Sequence, residues 1–205
     1  MADAQEADGS RSARWLLVSV QSAGAPASVR VQVWRKLRSL GAVYLQQSVC
    51  LLPAREEVER EIKRLLDRVE RQGGTGRCLR ITLHEPGEQT QLVAEFQAAR
   101  DEEYGEILDR TPAFMQELAM ERDRGRATYA EVEESEADLE RFHTWLKKIE
   151  KRDYFRAPGG DGARAAVARC ANELQAFEAE ALAAELPEHP RSESEEKPKR
   201  LRAVE

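Results

Sequence analysis

The chain has few of the residues on which disulfide-linked and metal-binding proteins depend. Its 205 residues include three cysteines, Cys50, Cys78 and Cys170, and no two of them form a CxxC pair. An odd number of widely spaced cysteines argues against a disulfide framework or a structural zinc site, and it is typical of a reducing compartment. We expect the three to be small buried hydrophobes. The three histidines lie far apart, so neither a metal nor another cofactor is predicted.

Motifs of catalysis and membrane insertion are also missing. The sequence has no GxSxG, no P-loop and no GxGxxG after a strand, and its Gly73–Gly76 cluster precedes a strand instead of opening a helix. We therefore expect that the chain is not an enzyme. No apolar run is long enough to cross a bilayer, and the polar start Met1–Ala13 lacks a secretory pattern. These absences predict a soluble, cytoplasmic protein without a membrane partner.

Charge is plentiful but unevenly distributed. Charged residues make up 34% of the chain, and the net charge is −6. Residues 11–84 carry 14 Lys and Arg against 6 Asp and Glu, a balance of +8. Residues 85–186 carry 13 against 24, a balance of −11. The basic half could face phosphate, or the two halves could simply complement each other; both interpretations remain open.

The first half of the chain predicts the element order β-α-β-β-α-β. Apolar runs, helical periodicity and turn residues place strand 15–20, helix 28–40, strands 43–45 and 49–52, helix 56–71 and a strand near 79–83. Ser28 is the predicted N-cap of the first helix, and Gly41 is predicted to end it. A single bent strand over 42–53 is the alternative to two short ones. The order is that of the ferredoxin-like plan, with both helices on one face of a four-stranded antiparallel sheet.

The last strand of this unit alternates between apolar and polar residues. Because side chains of a strand point to opposite faces in turn, we expect Leu79, Ile81 and Leu83 to face the two helices. The residues predicted on the open face of the sheet are Arg80, Thr82 and His84.

The second half predicts long helices. They cover Gln89–Arg122, with a kink at Pro112, then Thr128–Phe155 and Ala163–Leu186. Apolar stripes with 3-4 spacing on the last two predict an antiparallel helical hairpin. The fold class is therefore α+β: a disordered N-terminus over 1–13, a ferredoxin-like domain over 14–86, a helical extension over 87–186 and a disordered tail over 187–205.

The first predicted helix carries the candidate binding residues. Arg35, Lys36 and Arg38 project away from its apolar stripe, and they are expected to contact DNA phosphates from one exposed face. Arg30 lies in or beside the inward arc, so its replacement is expected to cost stability as well as affinity. Trp34 lies at the edge of the same arc and is expected to belong to the core.

Several runs of the sequence resemble a known family. They are RWLLVSV at 14–20, SVRVQVWRKLRSLGAVYLQQSVCLLP at 28–53, ESEADLERFHTWLKKIEKRDYFRAP at 134–158 and ARCANEL at 168–174. Together they resemble the N-terminal module of ChrB, the chromate-resistance regulator of bacteria. The first domain also resembles the middle domain of PaaX repressors and a small CRISPR-associated nuclease. That nuclease family has an acidic metal ligand at the end of its first strand. This chain has Val20-Gln21-Ser22 there, without a carboxylate, so nuclease activity is not expected.

The resemblance implies transcriptional regulation of chromate efflux, with DNA as a partner and a homo-oligomer as a further expectation. Full-length ChrB proteins continue into a second domain, whereas this chain continues into a charged tail. The alternative function is therefore an interaction module that binds no DNA and pairs with a separately encoded ChrB second domain.

Overall fold

The computed structural model of the protein describes residues 14–21, 24–125 and 128–185. Its elements, in chain order, are β1 (Arg14–Gln21), α1 (Ala27–Ser39), β2 (Val43–Gln46), β3 (Val49–Pro53), α2 (Glu56–Arg71), β4 (Thr75–Thr82), α3 (Pro86–Asp123), α4 (Tyr129–Glu150) and α5 (Gly159–Glu185). The predicted α+β class with a helical C-terminal region is confirmed. Both predicted disordered ends, 1–13 and 187–205, lie outside the described residues.

The strands form one antiparallel sheet in the order β2-β3-β1-β4. β1 pairs with β3 on one side and β4 on the other, and its residues Trp15, Leu16 and Val18 are fully buried. Residues 43–53 form two short strands, β2 and β3, so the alternative of a single bent strand is wrong. The ferredoxin-like name remains our interpretation of this element order.

α1 and α2 cover one face of the sheet. Leu16 and Val18 of β1 pack there in a core with Val33 and Leu37 of α1 and Ile62 of α2. The N-cap position of α1 is Pro26, without a side-chain cap, so the prediction of Ser28 is wrong. Pro26 itself is extended, with φ −56° and ψ 148°, and the helix begins at the next residue, which leaves Ser28 inside the first turn.

Gly41 ends α1 as predicted. Its φ is +72°, and its N–H donates to the Arg38 carbonyl at 2.9 Å while Ala42 donates to the Leu37 carbonyl at 3.1 Å. These two bonds form a Schellman motif, in which a residue without Cβ adopts the left-handed conformation at least cost.

α3 covers the opposite face of the sheet, which overturns the prediction for β4. Ile81 and Leu83 pack with Trp15 against Leu92 and Phe96 of α3. On the other face, Arg80 pairs with Glu59 of α2. Leu79 lies on the same side of β4 as Ile81 but remains 53% exposed. The alternation correctly assigns the apolar and polar residues of β4 to opposite faces of the sheet. The prediction of which face meets α1 and α2 is wrong, because the apolar residues face α3.

α4 and α5 pack against each other, and α3 packs along both as a third helix. One core holds Tyr104 and Ile107 of α3 with Leu146 and Ile149 of α4 and Val167 of α5. A second core lies farther along the same helices and contains Phe114, Leu118, Val132, Cys170, Leu174, Phe177 and Ala181. α4 ends at Glu150, earlier than the predicted Phe155. Beyond that point the N–H groups of Arg152 and Asp153 donate three residues back, to Ile149 at 3.0 Å and Glu150 at 3.1 Å, and the Asp153 carboxylate accepts the Ala157 N–H at 3.0 Å.

A polar network joins the end of α1 to the segment between α4 and α5. The Tyr154 hydroxyl donates to the Leu40 carbonyl at 2.9 Å. Arg152 donates to Glu103 of α3 at 2.8 and 3.1 Å, and Arg100 donates to the same carboxylate at 3.2 Å. The sequence runs around 28–53 and 134–158 thus meet in space at this junction.

Candidate nucleic-acid interface

The four predicted DNA-binding residues lie at different positions around α1. Arg30 and Arg35 are exposed and line a hollow between α1, the end of β1 and the β2–β3 turn. Lys36 forms an ion pair with Glu61 on α2. Arg38 lies over the ring of Trp34, 5.3 Å from its centroid. Positions two apart on a helix are separated by about 160°, so Lys36 and Arg38 point to opposite sides of α1 and do not share one exposed face.

Glu61 partly neutralises the basic surface. It pairs with Lys36 from α1 and, at 2.7 Å, with Arg64 from its own helix. The hydrogen bond and charge of Lys36, together with Arg64, hold the pKa of the Glu61 carboxyl below its usual range. The carboxylate therefore stays ionised, and it reduces the charge that these two cations can present to a phosphate.

α2 contributes cations that the sequence analysis did not single out. Arg64, Arg68 and Arg71 follow a 4-3 spacing, which places them on one stripe of the helix, and all three are exposed. Arg68 and Arg71 make no ion pair with the carboxylates of the described chain. The Lys36–Glu61 contact brings this stripe beside α1. We call Arg35, Arg64, Arg68 and Arg71 the outer basic surface.

Trp34 does not belong to the core, contrary to the sequence-based expectation. Its side chain is 48% exposed, and so are Val31 at 45% and Tyr44 at 39%. These three residues, with Arg30, Arg35 and Gln47, line a hollow of 850 Å³ that we call the α1 groove. An exposed aromatic residue of this kind is available for stacking, so α1 presents more than phosphate-binding charge.

The surroundings of the three cysteines raise the pKa of each thiol. Burial raises the pKa of the Cys50 thiol to about 12 and raises that of Cys170. For Cys78, partial desolvation and then the charge of Glu59 raise the pKa. Cys50 and Cys170 are buried as expected, whereas Cys78 is exposed, contrary to the expectation. Within residues 14–21, 24–125 and 128–185, no three His, Cys, Asp or Glu side chains are grouped as metal ligands. Among those residues no helix has the length and apolarity of a transmembrane span.

Comparison with known proteins identifies the family. The model of the family described as "Protein ChrB, N-terminal" matches residues 30–188, a range that includes α1 from Arg30 onward, the outer basic surface and all three long helices. No curated protein and no solved structure matches the chain. The match does not bear on the PaaX-like resemblance, which stays a prediction. Because the matched range covers more than half of the sequence, the chain belongs to the ChrB N-terminal family and is a ChrB-like protein associated with chromate resistance.

Proposed function

We propose that this protein is a cytoplasmic transcriptional regulator that binds DNA through the outer basic surface and acts by binding, not by catalysis. The observation that carries the proposal is the placement of exposed cations on two adjacent helices, Arg35 on α1 and Arg64, Arg68 and Arg71 on α2. Guanidinium groups on such a surface neutralise backbone phosphates and position the protein without reading base sequence. Membership of the ChrB N-terminal family supports the regulatory role.

The test is DNA binding measured against salt concentration. A labelled duplex from upstream of the protein's own gene is titrated with the parent and with the triple variant Arg35→Gln/Arg68→Gln/Arg71→Gln. For every phosphate that the variant no longer neutralises, the slope of log affinity against log salt should fall by about one unit. The triple variant should thus bind every DNA sequence more weakly, and circular dichroism should show an unchanged fold because none of the three residues is buried.

A matched control separates a local effect from a general charge effect. Lys147, Lys148 and Lys151 are exposed cations at the end of α4 and just after it. Their triple change to Gln removes the same charge from the acidic part of the chain and should leave the slope unchanged. Equal losses of affinity in both triple variants, or no binding by the parent at low salt, would contradict the proposal.

A change at Glu61 gives a second test, in which DNA affinity should rise instead of fall. Glu61→Gln removes the carboxylate held between Lys36 and Arg64. Both cations then become available to phosphate, so DNA binding should strengthen and the salt slope should rise. Unchanged binding in this variant would remove Lys36 and Arg64 from the DNA interface.

The second candidate is a protein-interaction module that pairs with a separately encoded ChrB second domain or with another copy of the chain. The observation in its favour is that several basic residues near α2 are already paired with carboxylates: Lys36, Arg60, Arg64 and Arg80. A surface of paired charges attracts phosphate less than it would if the same cations were unpaired. The discriminating result is a stable complex with a purified ChrB second domain in size-exclusion chromatography, or a dimer in light scattering, together with no DNA binding at low salt.

A further inference from the structure

The α1 groove has the size and the lining of a small-molecule site. Its volume of 850 Å³ lies within the range of roughly 300–1,000 Å³ in which proteins hold small ligands. Buried Val33 and Leu37 of α1 and half-buried Val20 of β1 contribute apolar surface to it. Trp34 and Tyr44 add aromatic surface that is still exposed. Apolar surface left open to water in a concave site favours an apolar occupant.

The charged side chains among the described residues that line the groove are cations. Arg30 and Arg35 are the charged residues of its wall, and none of the described residues that line it is a carboxylate. Four other hollows of the described structure differ in this respect, because each has at least one carboxylate in its wall. A ligand with an anionic group is therefore favoured in the α1 groove more than in those hollows.

A second tryptophan gives an internal comparison. Trp145 lies under Arg110 at 5.2 Å, much as Trp34 lies under Arg38 at 5.3 Å. The hollow beside Trp145 measures 420 Å³, and it is lined by three carboxylates, from Asp109, Glu117 and Asp138. The two sites share a tryptophan under a guanidinium, but only the α1 groove combines it with a larger apolar hollow and a cationic wall.

We propose that the α1 groove binds a small aromatic carboxylate, with its ring against Trp34 and Tyr44 and its carboxylate toward Arg35. The aliphatic lining from Val20, Val33 and Leu37 favours a hydrocarbon ring, whereas the heteroatoms of a nucleobase would find hydrogen-bond partners only on the side of Gln21, Gln47 and Ser48. The groove shares Arg35 with the outer basic surface, but Trp34 and Tyr44 lie outside that surface. Because the ligand is measured without DNA and Arg68→Gln/Arg71→Gln should leave its binding unchanged, failure of this proposal can be distinguished from failure of DNA binding.

The probe for the test is naphthoate, with uncharged naphthylmethanol as its neutral counterpart, and the measurement is isothermal titration calorimetry on the full chain. Naphthoate should bind one-to-one, and at least about threefold more tightly than naphthylmethanol, as expected for a partly exposed ion pair. Trp34→Ala should weaken naphthoate binding about tenfold or more, whereas Trp34→Phe should retain most of it. Arg35→Gln should remove the preference for the anion.

Two controls define what would overturn the proposal. Trp145→Ala and Arg68→Gln/Arg71→Gln should both bind naphthoate as the parent does, with thermal melts reporting that each variant is folded. The proposal is wrong if naphthoate does not bind, or if Trp34→Ala and Trp145→Ala lose affinity equally. It is also wrong if a single-stranded oligonucleotide binds with dependence on Trp34 while naphthoate does not. A change of mass in light scattering on Trp34→Ala would instead make the groove an interface between copies.

Discussion

Alanine at Gly41 tests the junction between the sheet and the helices. Gly41 has φ +72°, and a Cβ added there would lie 2.5 Å from Nη1 of Arg100 and 3.0 Å from Cβ of Arg152. The left-handed conformation costs an alanine about 1–2 kcal/mol. Arg100 belongs to α3, is 6% exposed and lies against the end of α1. Displacing its side chain adds an overpacking cost of about 1–3 kcal/mol. Gly41→Ala should therefore lower the free energy of unfolding by about 2–5 kcal/mol.

Gly125 provides the matched control. It follows α3 in the same C′ position, with φ +65° and its N–H donating to the Arg122 carbonyl at 3.0 Å. A Cβ there would meet no described atom within 4 Å, so Gly125→Ala should cost only the conformational term, about 1–2 kcal/mol. Urea unfolding of both variants measures the difference. Equal losses of stability at the two positions would refute the crowding argument, as would a Gly41→Ala loss that is unchanged in an Arg100→Ala background.

Two further predictions concern the cores. Leu146→Ala and Leu174→Ala remove side chains that are 8% and 2% exposed, so each should lower the free energy of unfolding by about 2–5 kcal/mol. Melts that match the parent would mean that the two stripes are not a shared core. For Cys50, burial raises the thiol pKa from 9.0 to about 12, so the folded state keeps a proton that the unfolded state loses as pH rises through this window. Stability should fall there by about 1.4 kcal/mol per pH unit, and Cys50→Ala should lessen that slope in urea titrations above about pH 9; an unchanged slope would contradict the assignment.

Local sequence patterns were sufficient to predict the helices and strands, but not to predict which elements pack on each face of the sheet. The 4-4-3 spacing of α1, the glycine at its end and the break between β2 and β3 all act over a few residues, so the sequence reveals them. The direction in which β4 faces depends on α3, whose Leu92 and Phe96 reach the sheet from a later part of the chain. Alternation shows that a strand has two faces, but it does not show which face is covered first or that both are covered.

The candidate site, too, was predictable from the sequence only in part. The cations of α1 are visible in the sequence, and the 4-3 spacing of Arg64, Arg68 and Arg71 was available there as a signal. The neutralising contact of Lys36 with Glu61 joins two helices, so no local pattern reveals it. Trp34 was assigned to the core because tryptophan is usually buried, yet the outcome depended on whether another element packs beside that side of α1.

Because α3 is 38 residues long, it belongs to both the sheet unit and the helical unit, and the chain cannot be cut between them without exposing a core. Its first turns cover the sheet through Leu92 and Phe96, while its later turns hold Phe114 and Leu118 in the helical core. Truncation at residue 86, the boundary suggested by the sequence, would strip the rings of Phe96 and Phe155 from Trp15, each of them 5.5 Å away. The excised fragment would carry a bare aromatic surface and would be prone to self-association. The smallest portion that can be expressed and handled as a stable unit therefore extends past the βαββαβ segment, through α3 to the end of α5.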